Sequence, residues 1–298
     1  MKKIFMLVII YCSVSIVCAE TVVNSIRRAD NSFVHYYHYT QASNSKTLLL
    51  MVQSGACISV FHQLDTRILL EKLGLQSDVL WVEKYGLTNE SASSKCPQEY
   101  IENNSPLSRV DDYILVLNKL ADQYDKIIVI GAQEGAAVVS LLLADETLPI
   151  TAGIVINSGG GSYANDVLWQ IEKFPMKVLD ESHPITSEFL ESTKNGDLPT
   201  KLTFQNHGYR WWYEMLNTNM YETLKKSQKP LLIIQGLADR EVLLDDSDTM
   251  YERLTDKKNV TVYYYETLTH EYSHNFHLPD IDHAIKDVRY WLERLEVQ

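Results

Sequence analysis

Short apolar runs rich in β-branched and aromatic residues recur along the chain, at 48–52, 79–82, 126–130, 152–156, 231–234 and 260–265. Each is continuously apolar rather than alternating, the pattern of a strand buried on both faces. Segments of helical period lie between them. Ile114, Leu115, Leu117 and Leu120 mark one over 110–120, and 136–144 is a compact run of helix formers. Near the end Ile285, Val288, Trp291, Leu292 and Leu295 share a helical face, with Lys286, Arg289, Glu293 and Arg294 left for solvent. This alternation predicts an α/β architecture, a mostly parallel central sheet with helices on both faces. The run 33–39 predicts a strand or hairpin ahead of that sheet. Residues of about 163–228 break the rhythm, with Trp169, Trp211, Trp212, Tyr213, Met215 and Met220 scattered among polar residues, and read as a helical lid insertion over the sheet.

With 298 residues, 45% hydrophobic and 22% charged, the chain suits one large globular domain. The first residues change that boundary. Met1-Lys2-Lys3 and the apolar run that follows have the form of a secretory signal, with Val17-Cys18-Ala19 offering small residues for cleavage. The expectation is therefore a signal peptide over 1–19 and an exported domain over 20–298, periplasmic or secreted, with no transmembrane segment after cleavage. The formal charge of −12 becomes −14 once Lys2 and Lys3 are gone. Such acidity argues against nucleic acid or an anionic membrane as partner, and solubility accounts for it.

Cleavage would also leave Cys57 and Cys96 as the only cysteines, in a compartment that oxidises thiols. Two readings follow, a single disulfide or two separate thiols. No CxxC and no Cys/His cluster has metal spacing, and the glycine-rich 157–162 lacks the Lys-Ser/Thr ending of a phosphate loop. Neither a metal nor an organic cofactor is expected.

The candidate chemistry begins at 127–137, where an apolar strand runs into Gly131-Ala132-Gln133-Glu134-Gly135 and then a helix former. Strand, Gly-x-Nuc-x-Gly and helix resembles the nucleophile elbow of the α/β-hydrolases, where small residues flank a nucleophile held on a strained turn. Here the nucleophile position carries Gln133, whose amide no neighbouring base can activate. The resemblance continues in order over about residues 45–296. Asp239, in the loop after 231–236, stands at the acid position, and His274 in His274-Asn275-Phe276 at the base position, with His270 as the alternative. Outside that resemblance, Asp239 would be a turn former and either histidine a solvated loop residue.

The loop after 48–52 resembles the oxyanion loop. It implies backbone donors at Ser54 or Gly55 together with Glu134. A Cys57–Cys96 bridge would tie this loop to the excursion after the next strand. Arg210-Trp211-Trp212 resembles the lid, implying a pocket at Trp211 and Trp212 for a small apolar or acyl-type ligand, although packing of the insertion explains these aromatics too. The resemblance implies descent from ester, thioester or amide hydrolases, with the covalent route closed at Gln133. Of three roles, a binding protein is the expectation; the alternatives are a hydrolase using His274-activated water or a relocated serine such as Ser158 or Ser162, and a structural role with the pocket filled.

Overall fold

The computed structural model describes residues 20–40, 45–62, 72–73, 77–91, 95–173, 187–196, 203–204, 206–270 and 279–296. The expected signal over 1–19 and the candidate base His274 lie outside these residues. Eight strands form the main sheet: β1 (Glu20–Arg27), β2 (Phe33–Thr40), β3 (Thr47–Val52), β4 (Asp78–Val82), β5 (Lys126–Ala132), β6 (Ala152–Ile156), β7 (Leu231–Gly236) and β8 (Val260–Tyr265). Their spatial order is β1-β2-β4-β3-β5-β6-β7-β8. The β1–β2 and β2–β4 pairings are antiparallel and all the others parallel. All six apolar runs are strands, and 33–39 is the second half of a hairpin whose first half, β1, was not anticipated. Val22 and Val23 are exposed there, so β1 lacks the continuous apolar run that marked the others.

Burial on both faces accounts for those runs. Leu48, Leu50, Val52, Ile127, Val129, Val155, Leu231 and Ile233 point to one side. There they meet the helices Pro106–Leu120 (α2), Glu134–Ala144 (α3), Tyr209–Asn217 (α6), Met220–Lys226 (α7) and Leu244–Thr255 (α8). Leu49, Met51, Ile128, Ile130, Ile154, Leu232 and Ile234 alternate to the other side, against Ile281, Ile285, Val288, Trp291 and Leu292 of the last helix, Pro279–Glu296 (α9). Between β6 and β7 the described residues hold Tyr163–Lys173 (α4), Ser187–Asn195 (α5), two-residue strands at Thr203–Phe204 and His207–Gly208, then α6 and α7. Among the described residues no helix is long and apolar enough to cross a membrane.

α2 begins earlier than its apolar period implied. Ser105 caps it, accepting from the Ser108 N–H while the Ser108 hydroxyl accepts from the Ser105 N–H, with Pro106 in the first turn. This start places Arg109 on the site side of the sheet.

Cys57 and Cys96 form a disulfide, with their Cα atoms 5.5 Å apart, so the reading as two separate thiols falls. The bridge joins the loop after β3 to the segment just before the short helix Gln98–Asn103 (α1), 39 residues along the chain. Closing a loop of that size restricts the unfolded chain by about 2–4 kcal/mol. Replacing both cysteines by serine is therefore expected to lower the unfolding free energy by that amount in urea titrations, and an unchanged midpoint would show that the bridge adds nothing.

Candidate active site

Between the end of β5 and the start of α3 only Gln133 makes the turn, at φ 54° and ψ −125°. A non-glycine residue held there costs of order 1–3 kcal/mol, and persists only where the surroundings over-determine it. They do so here. The Gln133 N–H donates to the Ile156 carbonyl at 2.9 Å, and the Gln133 carbonyl accepts from the Ala136 N–H at 2.9 Å. A Cβ on Gly135 would lie 2.5 Å from the Val52 carbonyl oxygen, and one on Gly131 2.6 Å from the Gly135 carbonyl oxygen. Both flanking glycines are thus required by close backbone approach. The turn lifts the Gln133 side chain to the carboxyl ends of the strands, onto the wall of a cavity of about 390 Å³.

Asp239 follows β7 and is fully buried. Its Oδ1 accepts from the Glu241 N–H at 2.8 Å, and its Oδ2 meets His270 Nδ1 at 2.9 Å. A carboxylate oxygen can only accept, so Nδ1 carries the proton of this bond and Nε2 is the ring nitrogen turned to any base chemistry. The alternative histidine of the sequence reading is therefore the one joined to the acid.

Asn157, fully buried at φ 47°, ties these parts together. Its Nδ2 donates to the Thr269 carbonyl at 2.8 Å, and its Oδ1 accepts from the Gly236 N–H at 2.9 Å. Gln133 reaches the same loop. Its Nε2 donates to the His270 carbonyl at 2.9 Å, binding the backbone where a nucleophile would address the ring.

Solved structures share this arrangement of strands, helices and loops. A Pyrococcus furiosus esterase superposes with a TM-score of 0.63 at 16% identity, covering 93% of this chain and 91% of its own. Est1E from Butyrivibrio proteoclasticus with ferulic acid bound gives 0.63 at 17%, covering 90% and 98%. Pyrococcus horikoshii acylaminoacyl peptidase gives 0.62 at 15%, covering 94% of this chain and 42% of its own, so the chain spans less than half of that enzyme. The chain has the α/β-hydrolase fold. No protein-family model matches the sequence, and no curated protein does.

In a hydrolase fold the loop after β3 faces the elbow, and here three buried side chains anchor it. Arg109 donates to the Gln53 carbonyl, Lys84 to those of Ser54 and Ala56, and the Tyr100 hydroxyl to that of Gly55 at 2.7 Å. A trans peptide points its N–H opposite its C=O. Anchoring the Gln53 and Ser54 carbonyls therefore turns the Ser54 and Gly55 N–H groups away from the two cations. The Glu134 carboxylate lies beside this loop, its Oε1 2.7 Å from Arg109 and its Oε2 2.9 Å from where a Gly55 Cβ would be. Burial works to raise the Glu134 pKa, but Lys84 and Arg109 outweigh it and hold the carboxylate below its usual range. Burial, reinforced by Arg109, pushes the Lys84 ammonium down to about 7.

Trp211 and Trp212 both line the cavity, with Tyr163 edge-on to Trp211 at 5.8 Å. His207 stacks on Trp211 at 3.7 Å, and burial pushes it down to about 4, leaving it neutral at pH 7. Ser158 also lines the cavity, its hydroxyl 3.2 Å from that of Tyr251, which in turn donates to Gln235. Among the described residues no base is one of its hydrogen-bond partners. Ser162 pairs by backbone with Asn219. Among the described residues no group of three His, Cys, Asp or Glu side chains could hold a metal.

Asn157, Arg109 and Lys84 were not singled out from the sequence as site residues. The Ser105-Pro106 cap would have placed Arg109 in a first helical turn, whereas Lys84 follows β4 with no local signal.

Asp166 on α4 is a further cavity residue. Burial, with Asp246 and Asp239 nearby, pushes it up to about 7, although its Oδ1 accepts from the Leu243 N–H. The folded chain thus keeps a proton that the unfolded chain releases from about pH 4, and stability falls as pH rises from there to 7. Asp166→Asn keeps the acceptor and removes the charge. Its stabilising effect should be about 2 kcal/mol larger at pH 8 than at pH 5 in denaturant titrations; an effect equal at both pH values would show that no buried acid titrates here.

Proposed function

We propose that this protein is exported and binds a small ligand in the cavity above its sheet, with the serine-type covalent route closed at Gln133. The observation that carries the reading is the elbow itself. Its strained turn, its two glycines and the Asp239–His270 pair are in place, while the residue they would serve is an amide engaged with the His270 backbone. A hydroxyl there would be deprotonated by His270 Nε2 and attack a carbonyl, with Asp239 steadying the imidazolium and backbone N–H groups of Ser54 or Gly55 and Glu134 receiving the oxyanion. An amide gives neither the proton nor the nucleophile. The disulfide and the N-terminal apolar run support export.

A second reading has one observation in its favour. The Asp239–His270 pair could deprotonate a water, giving slow hydrolysis without an enzyme-bound intermediate.

Gln133→Ser tests both readings. The serine variant is expected to hydrolyse short-chain esters and thioesters and to take up a phosphonate label, while the Gln133 protein does neither. Turnover by the Gln133 protein, lost in His270→Ala, would establish the water route instead. Within the serine variant, adding His270→Ala should cost about 10³-fold or more in kcat, and adding His274→Ala far less. The reverse ranking would return the base to His274.

A further inference from the structure

The cavity wall has an uneven chemistry. Among the described residues it carries three carboxylates, Glu134, Asp166 and Glu241, and neither lysine nor arginine. The two cations nearest to it are committed behind the wall. Arg109 serves Glu134 Oε1 and the Gln53 carbonyl, and Lys84 the carbonyls of Ser54 and Ala56. Glu134 is left half-satisfied. Its side chain is 6% exposed, and Oε2, on the side next to Gly55, has no hydrogen-bond partner among the described residues. The Trp211 indole N–H lies near enough to favour the charged form, yet makes no hydrogen bond of normal geometry with it. A buried carboxylate oxygen in that state forgoes a charge-assisted hydrogen bond, so it favours a ligand that brings a donor.

The remaining walls name the rest of that ligand. Tyr163, Trp211 and Trp212 face the cavity, with Val167, Met215 and Met220 beyond them. Aromatic faces attract a cation and tolerate the apolar body attached to it, whereas they give an anion nothing.

We propose that the cavity takes an alkyl- or arylammonium ion, its N–H groups on the carboxylates of Glu134, Asp166 and Glu241 and its apolar body against Tyr163, Trp211 and Trp212. This rests on the reading of the cavity as a ligand site, and goes beyond it by naming the charge and class of the ligand.

A matched series decides it: 2-phenylethylammonium, 2-phenylethanol and 3-phenylpropanoate, titrated calorimetrically into the full mature protein at pH 8. The ammonium should bind at least tenfold more tightly than the alcohol, and the carboxylate more weakly than both. Glu241→Gln and Asp166→Asn should each shrink the ammonium-to-alcohol ratio several-fold. Glu134→Gln should do so most, but it strands Arg109, so the wild-type series and the other two variants carry the decision. Equal or tighter binding of the carboxylate would overturn the proposal and leave the ligand cavity standing. Binding of none of the three at millimolar concentration would overturn it as well. The Gln133→Ser assay then judges the hydrolase-like site separately, since it reads chemistry and not the charge of the probe.

Discussion

The ion pair between Arg109 and Glu134 joins three parts of the molecule that must agree for a site to exist at all. Glu134 opens α3 directly after the elbow, where the positive end of the helix favours a carboxylate. Arg109 rises from the first turn of α2 and holds the Gln53 carbonyl of the loop after β3. The pair therefore sets the position of that loop relative to the turn at Gln133. Burying two charges is expensive, and replacing such a pair with apolar groups is often neutral or favourable for stability. Removing only one partner is another matter, because the survivor is left charged and buried at a cost of about 3–5 kcal/mol. The arrangement is best understood as a fixed geometry bought with desolvation.

Lys84 and Tyr100 complete that geometry from the opposite side. Each donates to a carbonyl of the same loop, and the Cys57–Cys96 bridge anchors the loop's far end to the segment just before Tyr100. Five consecutive residues, from Gln53 to Cys57, are thereby pinned by side chains drawn from β4's exit, α1 and α2. With the carbonyls drawn inward, the N–H groups are what remains for a ligand.

How legible this was from the sequence differed by level. The sheet was readable because both its faces are covered, so each central strand announced itself as an unbroken apolar run. β1 escaped because it lies at the edge with exposed valines. The elbow was readable because its constraints are backbone constraints that only glycine at 131 and 135 can satisfy. Asp239 could be placed from its position after β7. Choosing between His270 and His274 could not be done from spacing, since they are only four positions apart in the sequence, and it is the hydrogen bond to Asp239 that singles out His270 among the described residues. Asn157 is harder still. Its function is to bridge β7's end and the histidine loop through an amide, and nothing in Asn-Ser-Gly-Gly-Gly distinguishes that from a plain turn.

The same division explains how the turn keeps its architecture with a glutamine at its centre. The turn at Gln133 is fixed by its own backbone hydrogen bonds to Ile156 and Ala136 and by the close approach of Gly135 to Val52, none of which involves the side chain at 133. That side chain is projected into the cavity, out of the packed core. Exchanging it alters the chemistry of the site completely while the strand, helix and neighbouring loops hold their places. The glutamine even gains a hydrogen bond to the His270 carbonyl, joining the elbow to the loop that carries the base. The position at 133 is thus held by its backbone, and its side chain sets the chemistry of the cavity wall without setting the turn.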